Sequence, residues 1–221
     1  MMLASGTIYA QQTFNELTYT KDVSSFKLNA PSKAKSVKVN IYKEGIGGTV
    51  VKTVKMKRTG DDLWTADIKG DLKGMFYTFQ VETKQQKMNE TPGVFAKAVG
   101  INGRRAAIID MAETNPEGWC CDQRPLTKQP TDLVIYEMHH RDFSVSPTSG
   151  LTNKGKFLAL TEPKAVYHLK NLGVNAIHIL PSYDYASVDE SKPDVAQYNW
   201  GYDPLNYNVP EGSYSTNAAC P

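Results

Sequence analysis

Between Lys35 and Met111 apolar and polar residues alternate in short runs. In "SVKVNIY" the alternation puts Val37, Val39 and Ile41 on one face. In "LWTADI" it aligns Trp64, Ala66 and Ile68, and in "MFYTFQVE" it aligns Met75, Tyr77, Phe79 and Val81. A period of two marks half-buried strands. Turn-forming clusters separate the runs: "TGDD" (Thr59–Asp62), "LKG" (Leu72–Gly74) and "NG" (Asn102, Gly103). Short strands with such punctuation predict an antiparallel, immunoglobulin-like β-sandwich over residues 31–112, after an N-terminal extension of residues 1–30.

The pattern changes after Asp110. "DMAETNPEGW" and "DQRPLTKQPTD" contain prolines and little periodicity, so residues 113–132 read as a linker. "LVIYEM" (Leu133–Met138) is nearly all apolar, the pattern of a strand buried on both faces. "TEPKAVYHLKNLG" (Thr161–Gly173) then predicts a helix with Thr161 as N-cap, Pro163 in the first turn, an apolar face of Val166, Leu169 and Leu172, and Gly173 just past the end. "VNAIHIL" (Val174–Leu180) predicts a second buried strand, stopped by Pro181. Strand, helix and strand in this order form a right-handed parallel crossover. About 40 residues rich in Tyr, Asp, Pro and Asn follow, with no clear further helix. The expected architecture is therefore α+β and multi-domain. A closed (β/α)8 TIM barrel takes about 250 residues, and from Leu133 this chain has 221 − 132 = 89. Residues 133–221 read as an incomplete barrel.

Composition narrows the partners. The 221 residues are 40% hydrophobic and 22% charged, and 25 basic against 23 acidic residues leave a net charge of +2. That balance offers no electrostatic footprint for nucleic acid or an anionic membrane surface. No apolar run approaches the ~20 residues that span a bilayer. The start, "MMLASGTIYA", lacks the charged and apolar regions of a signal peptide. The expected compartment is the cytoplasm, with a periplasmic or secreted location left open. Cys120, Cys121 and Cys220 fit neither a disulfide framework nor a zinc spacing, and read as free thiols.

Several strings resemble the type I pullulanases, debranching enzymes of glycoside hydrolase family 13. "YNWGYDP" (Tyr198–Pro204) resembles their hallmark loop, "VIYEMHHRDFS" their first barrel strand, "HLKNLGVNAIHILP" their first helix and second strand, and "NVPEGSYST" the segment after the loop. "GDLKGMFYTFQV", "FAKAVGINGRRAAIIDM" and "TNPEGW" are similar to the family 48 carbohydrate-binding module and connector that precede that barrel. The resemblance implies retaining hydrolysis of α-1,6 linkages in pullulan, starch or glycogen by a nucleophilic Asp, an acid/base Glu and a stabilising Asp. In the family these sit at the ends of the fourth, fifth and seventh strands, beyond the two matched here. The implied expectation is an N-terminal part, inactive alone, of a longer or interrupted enzyme. The alternative is a stand-alone α-glucan-binding or regulatory module.

The residues carried over are few. The resemblance implies that Tyr202 stacks on a sugar of an α-glucan or maltooligosaccharide and that Asp203 binds its hydroxyls. A phenol ring suits the C–H face of a pyranose, and a carboxylate accepts charge-assisted hydrogen bonds. Gly201 allows the tight turn beside them. Tyr198 and Trp200 are expected to prop the loop by packing, and His140, Arg141 and Asp142 to support the pocket, at the strand end where barrel active sites form. His168 and His178 are expected to make local hydrogen bonds rather than hold metal. No cofactor is expected. The resemblance leaves a calcium ion open for the full-length family, with no ligands assignable here. "TKQQKMNETPG" (Thr83–Gly93) lacks the aromatics of a glycan platform and Trp64 points to the core, so the sandwich is expected to dock the barrel rather than bind glycan.

Overall fold

The computed structural model describes residues 14–123, 125–126 and 129–219. The leader reading of residues 1–10 and the reading of Cys220 lie outside them. Two four-stranded antiparallel sheets form from β1 (Leu17–Tyr19), β2 (Val23–Asn29), β3 (Ser36–Tyr42), β4 (Val50–Lys55), β5 (Lys57–Arg58), β6 (Leu63–Lys69), β7 (Phe76–Glu82) and β8 (Ala106–Ala107). Their strand orders are β1-β2-β6-β5 and β4-β3-β7-β8. The inward residues of both sheets share one core: Phe26, Trp64 and Ile68 from one, and Val37, Val39, Ile41, Tyr77 and Phe79 from the other. Burying each such side chain contributes about 1.5–3 kcal/mol. The Phe26 and Tyr77 rings meet edge-on at 5.2 Å, a favoured aromatic geometry.

The β3–β7 pair is buried on both faces, not one. Phe76 and Tyr42 pack with Ala98 and Ala107 on the outer side. Beside them, Thr78 donates to Glu90 at 2.6 Å and Asn40 donates to the same carboxylate at 3.1 Å. The segment after β7 folds back over its own sheet and supplies this second layer.

Short exposed 3-10 turns, Met111–Thr114, Trp119–Cys121 and Pro130–Asp132, lead out of the sheets. Then β9 (Ile135–Met138), α1 (His140–Ser144), α2 (Pro163–Asn171) and β10 (Ala176–Ile179) follow. β9 and β10 pair in parallel, Ala176 opposite Ile135 and Ile179 opposite Met138. Here the burial expected from the sequence is overturned. Ile135 is 60% exposed and β10 is largely open, with only Met138 buried in β9. A largely apolar parallel strand demands layers on both faces and neighbours on both edges. Among the described residues the pair has neither.

α2 also starts differently. Its N-cap is Glu162, not Thr161, with Pro163 at the first helical position. Glu162 makes no side-chain cap, because its carboxylate instead accepts the Thr152 and Asn153 amides at 2.9 and 2.7 Å. These bonds hold it below the usual carboxylate range. Ala165 and Leu169 are the buried helix positions, while Val166 and Leu172 face outward. Gly173 has φ +75°, as a residue just past a helix end often does. His178 pairs across the strands with Glu137 at 3.0 Å. His168 lies on an exposed helix position, its ring 6.3 Å from that of Phe143.

The tail that carries no helical signal holds an antiparallel pair, β11 (Tyr183–Tyr185) and β12 (Pro204–Pro210). β12 reaches back to the sandwich: Val209 enters its core, and the Asn208 amide donates to the Val94 carbonyl at 3.2 Å.

Candidate functional site

The loop between β11 and β12 is organised by one buried side chain, Asn199. Its amide nitrogen donates to Asp203 at 2.8 Å and also to the Ser187 hydroxyl. Its carboxamide oxygen accepts from the Gly201 amide, and its backbone carbonyl accepts from Arg141 at 3.2 Å. Gly201 has φ +83°, and a Cβ there would stand 2.6 Å from the Pro181 carbonyl oxygen. Only glycine fits that approach. Burial pushes the Asp203 carboxyl up, but hydrogen bonds from Ser187 and Asn199 outweigh it and hold the group below the usual range.

Around this hub the aromatic rings face solvent. Tyr198 is 79%, Trp200 54% and Tyr202 65% exposed. The expected propping role of Tyr198 and Trp200 is therefore corrected. Asn199 holds the loop through polar bonds, so the rings need not pack beneath it, and they lie 6.3 Å apart at the surface.

The three pocket-support residues separate in the fold. His140 is buried, edge-on to Phe157 at 4.8 Å and beside Tyr214, with no hydrogen-bond partner for its Nδ1. Arg141 braces Asn199, and the Asp142 carboxylate is mostly exposed. His139, to which the sequence reading gave no role, precedes them as the N-cap of α1. Its Nδ1 accepts the Asp142 amide at 3.3 Å, so the ring proton is on Nε2 and is donated to the Tyr214 hydroxyl at 2.9 Å. Burial lowers the pKa of both histidines, outweighing the nearby Asp142 in the case of His139. Arg141, Asp142, Lys156, Asp189, Tyr198 and Tyr214 line a groove of about 960 Å³. Trp200, Tyr202 and Asp203 do not line it.

A second cluster sits where this region meets the sandwich. The turn Ile101–Gly103 holds Asn102 at φ 60° and Gly103 at φ +63°. The Asn102 amide donates to Glu190 at 2.7 Å, and the Asn102 carboxamide oxygen accepts from the Glu190 amide at 2.8 Å. Asn206 bridges the Gly103 carbonyl at 3.1 Å and Asp184 at 2.5 Å. Asp184, Glu190 and Glu211 are all buried and can each bring an oxygen within 4.8 Å of the others. Burial pushes Asp184 up to about 6 and Glu211 up to about 7. Three carboxylates are a donor set suited to a hard divalent cation. In this fold they already accept from protein groups, Glu211 from the Tyr185 and Ser213 amides at 3.1 and 2.9 Å. The sequence reading missed this cluster because its members are spread between positions 102 and 211.

No protein-family model matches the chain. A pullulanase of Bacillus subtilis is 38% identical over 208 residues, which cover 90% of this chain and 28% of that protein. The crystal structure of apo pullulanase from Paenibacillus barengoltzii superposes with a TM-score of 0.90 at 45% identity, over 96% of this chain and 34% of that one. The same enzyme in complex with maltohexaose and α-cyclodextrin gives a TM-score of 0.90, over 97% of this chain. The chain thus spans between about a quarter and a third of these relatives' lengths.

Proposed function

We propose a function from the premise that this chain is homologous to the pullulanases over nine-tenths of its length: it is the N-terminal, glucan-positioning portion of an α-1,6-debranching glycoside hydrolase. Residues 31–112 are an immunoglobulin-like docking sandwich, 113–132 a linker, and 133–221 the start of a (β/α)8 barrel that carries the substrate loop. The largely apolar β9 and β10, polar only at Glu137 and His178, support the barrel reading, since their composition suits strands with neighbours on both sides.

One observation carries the reading. The Asn199 hub fixes the Asp203 carboxylate, in its ionised form, next to the exposed Tyr202 ring. Tyr202 would receive the apolar face of a glucose of pullulan, starch, glycogen or a maltooligosaccharide, and Asp203 would accept its hydroxyl protons in hydrogen bonds. Arg141 acts through Asn199. Hydrolysis needs a separate nucleophile and acid/base at the scissile bond, and no organic cofactor. Asp184, Glu190 and Glu211 are assigned neither role: they are buried and accept hydrogen bonds from Asn206, from Asn102 and from the Tyr185 and Ser213 amides.

The test is maltohexaose binding by the 221-residue chain, read from tryptophan emission and calorimetry, with pullulan hydrolysis measured in parallel. Binding should weaken at least ~10-fold in Tyr202→Ala and in Asp203→Ala, as loss of a hydrogen-bonded charge is worth about 1.5–3 kcal/mol. No reducing ends should be released. Release of reducing ends by this chain refutes the division of labour. The completeness of the sandwich core favours one alternative, a glucan-binding or regulatory module that acts without the hydrolase. Binding that survives loss of both side chains selects that alternative.

A further inference from the structure

We propose that Cys120 and Cys121 form a redox-active vicinal dithiol, a modification site for small-molecule disulfides on the segment joining the sandwich to β9. In sequence the two thiols fit no disulfide or metal spacing. In the fold they face each other, Sγ to Sγ at 3.5 Å, and both are exposed. Adjacent residues do not meet this way by default, since in extended chain their side chains point to opposite faces. Here both lie on the 3-10 turn Trp119–Cys121. The Cys121 amide donates to the Gly118 carbonyl at 2.9 Å, and Gly118 takes φ +79° to enter the turn.

The chemistry is balanced by a named oxidant, a low-molecular-weight disulfide such as oxidised glutathione. One cysteine thiolate attacks a sulfur of the reagent. A mixed disulfide forms, the reagent's S–S bond breaks, and the leaving thiolate takes up the proton. The neighbouring thiolate then attacks the protein-bound sulfur of the mixed disulfide. The Cys120–Cys121 bond forms and the second reagent thiol departs, so two electrons pass from the protein to the oxidant. The second step is intramolecular at contact distance and therefore fast relative to a second encounter with reagent. Adjacent Cα atoms are about 3.8 Å apart, closer than the span that relaxed disulfides prefer. The ring is therefore strained and readily reversed by thiols, as labile and regulatory disulfides are.

The experiment treats the full chain with oxidised glutathione and measures intact mass and peptide maps. The expected product has lost two hydrogens, carries no glutathione at Cys120 or Cys121, and returns to the starting mass with reduced glutathione. Cys120→Ser and Cys121→Ser should each keep one glutathione on the remaining thiol of the pair, while Cys220→Ser should form the ring as the parent does. A parent chain that retains glutathione on both connector cysteines, or that links either of them to Cys220, overturns the proposal.

Discussion

Replacing Gly103 by alanine tests how the sandwich is joined to β11 and β12. A Cβ at position 103 would lie 2.5 Å from an Asp184 carboxylate oxygen, 2.7 Å from the Asn206 amide and 2.8 Å from a Leu205 methyl. Gly103 also has φ +63°, where a side chain is strained even in open space. Gly47 separates the two effects. Its φ is +68°, and a Cβ there would meet nothing within 4 Å. Gly47→Ala should therefore cost only the left-handed backbone term, about 1–2 kcal/mol. Gly103→Ala should cost that plus about 1–3 kcal/mol for overpacking a site that cannot yield. Asp184 and Asn206 cannot simply swing away, because they are bonded to each other and to the turn. For a chain of this size each kcal/mol moves the midpoint by about 2–4 °C. Thermal unfolding followed by circular dichroism should then place Gly103→Ala about 2–12 °C below Gly47→Ala. Equal midpoints for the two variants would refute a tightly packed junction.

Two further outcomes follow from the same contacts. Asn199→Ala removes the partner of Asp203, Ser187 and the Gly201 amide at once. It should destabilise the chain by about 1–3 kcal/mol in urea unfolding, and should raise the Asp203 pKa in a carbon-detected NMR titration. An unchanged Asp203 titration would contradict the hub. Stability should also fall as pH rises. Asp184 goes from 3.8 to about 6 and Glu211 from 4.5 to about 7 on folding, so both are protonated in both states below about pH 3 and must ionise while buried by about pH 7. The lowered His139 and His140 work the other way, losing stability below their ordinary value of 6.5. The carboxyl shifts are the larger. Urea midpoints in chelator-containing buffer should drop between about pH 4 and 7, with a flatter profile in Glu211→Gln. A midpoint that climbs steadily over that range would exclude the buried acids as the dominant titrating groups.

The sandwich strands were legible in the sequence because a half-buried strand writes its inner face at every second position, and Val37, Val39 and Ile41 are all buried as the alternation requires. Gly173 and Pro163 marked the ends of α2 for equally local reasons, a left-handed backbone and a missing N–H. "YNWGYDP" stood out as an aromatic loop, yet its controlling residue, Asn199, was indistinguishable from any loop asparagine until its partners were placed. β11 and β12 carried no clear signal. One is three residues long, and the other begins and ends with proline, which sheets tolerate at strand starts and edges. The exposure of β9 and β10 was not in their letters either, because an apolar run states what a strand needs and not what surrounds it. Asn102 and Gly103 read as a turn, but that the turn grips Asp184, Glu190 and Asn206 depends on residues about 80 to 105 positions away. Local sequence determined the strand conformation and inner face of the sandwich strands, the preferred burial of β9 and β10, and the ends of α2. The meeting of Asp184, Glu190 and Glu211, the tautomer of His139 and the facing thiols of Cys120 and Cys121 were decided by tertiary structure, since each depends on where other side chains stand in space.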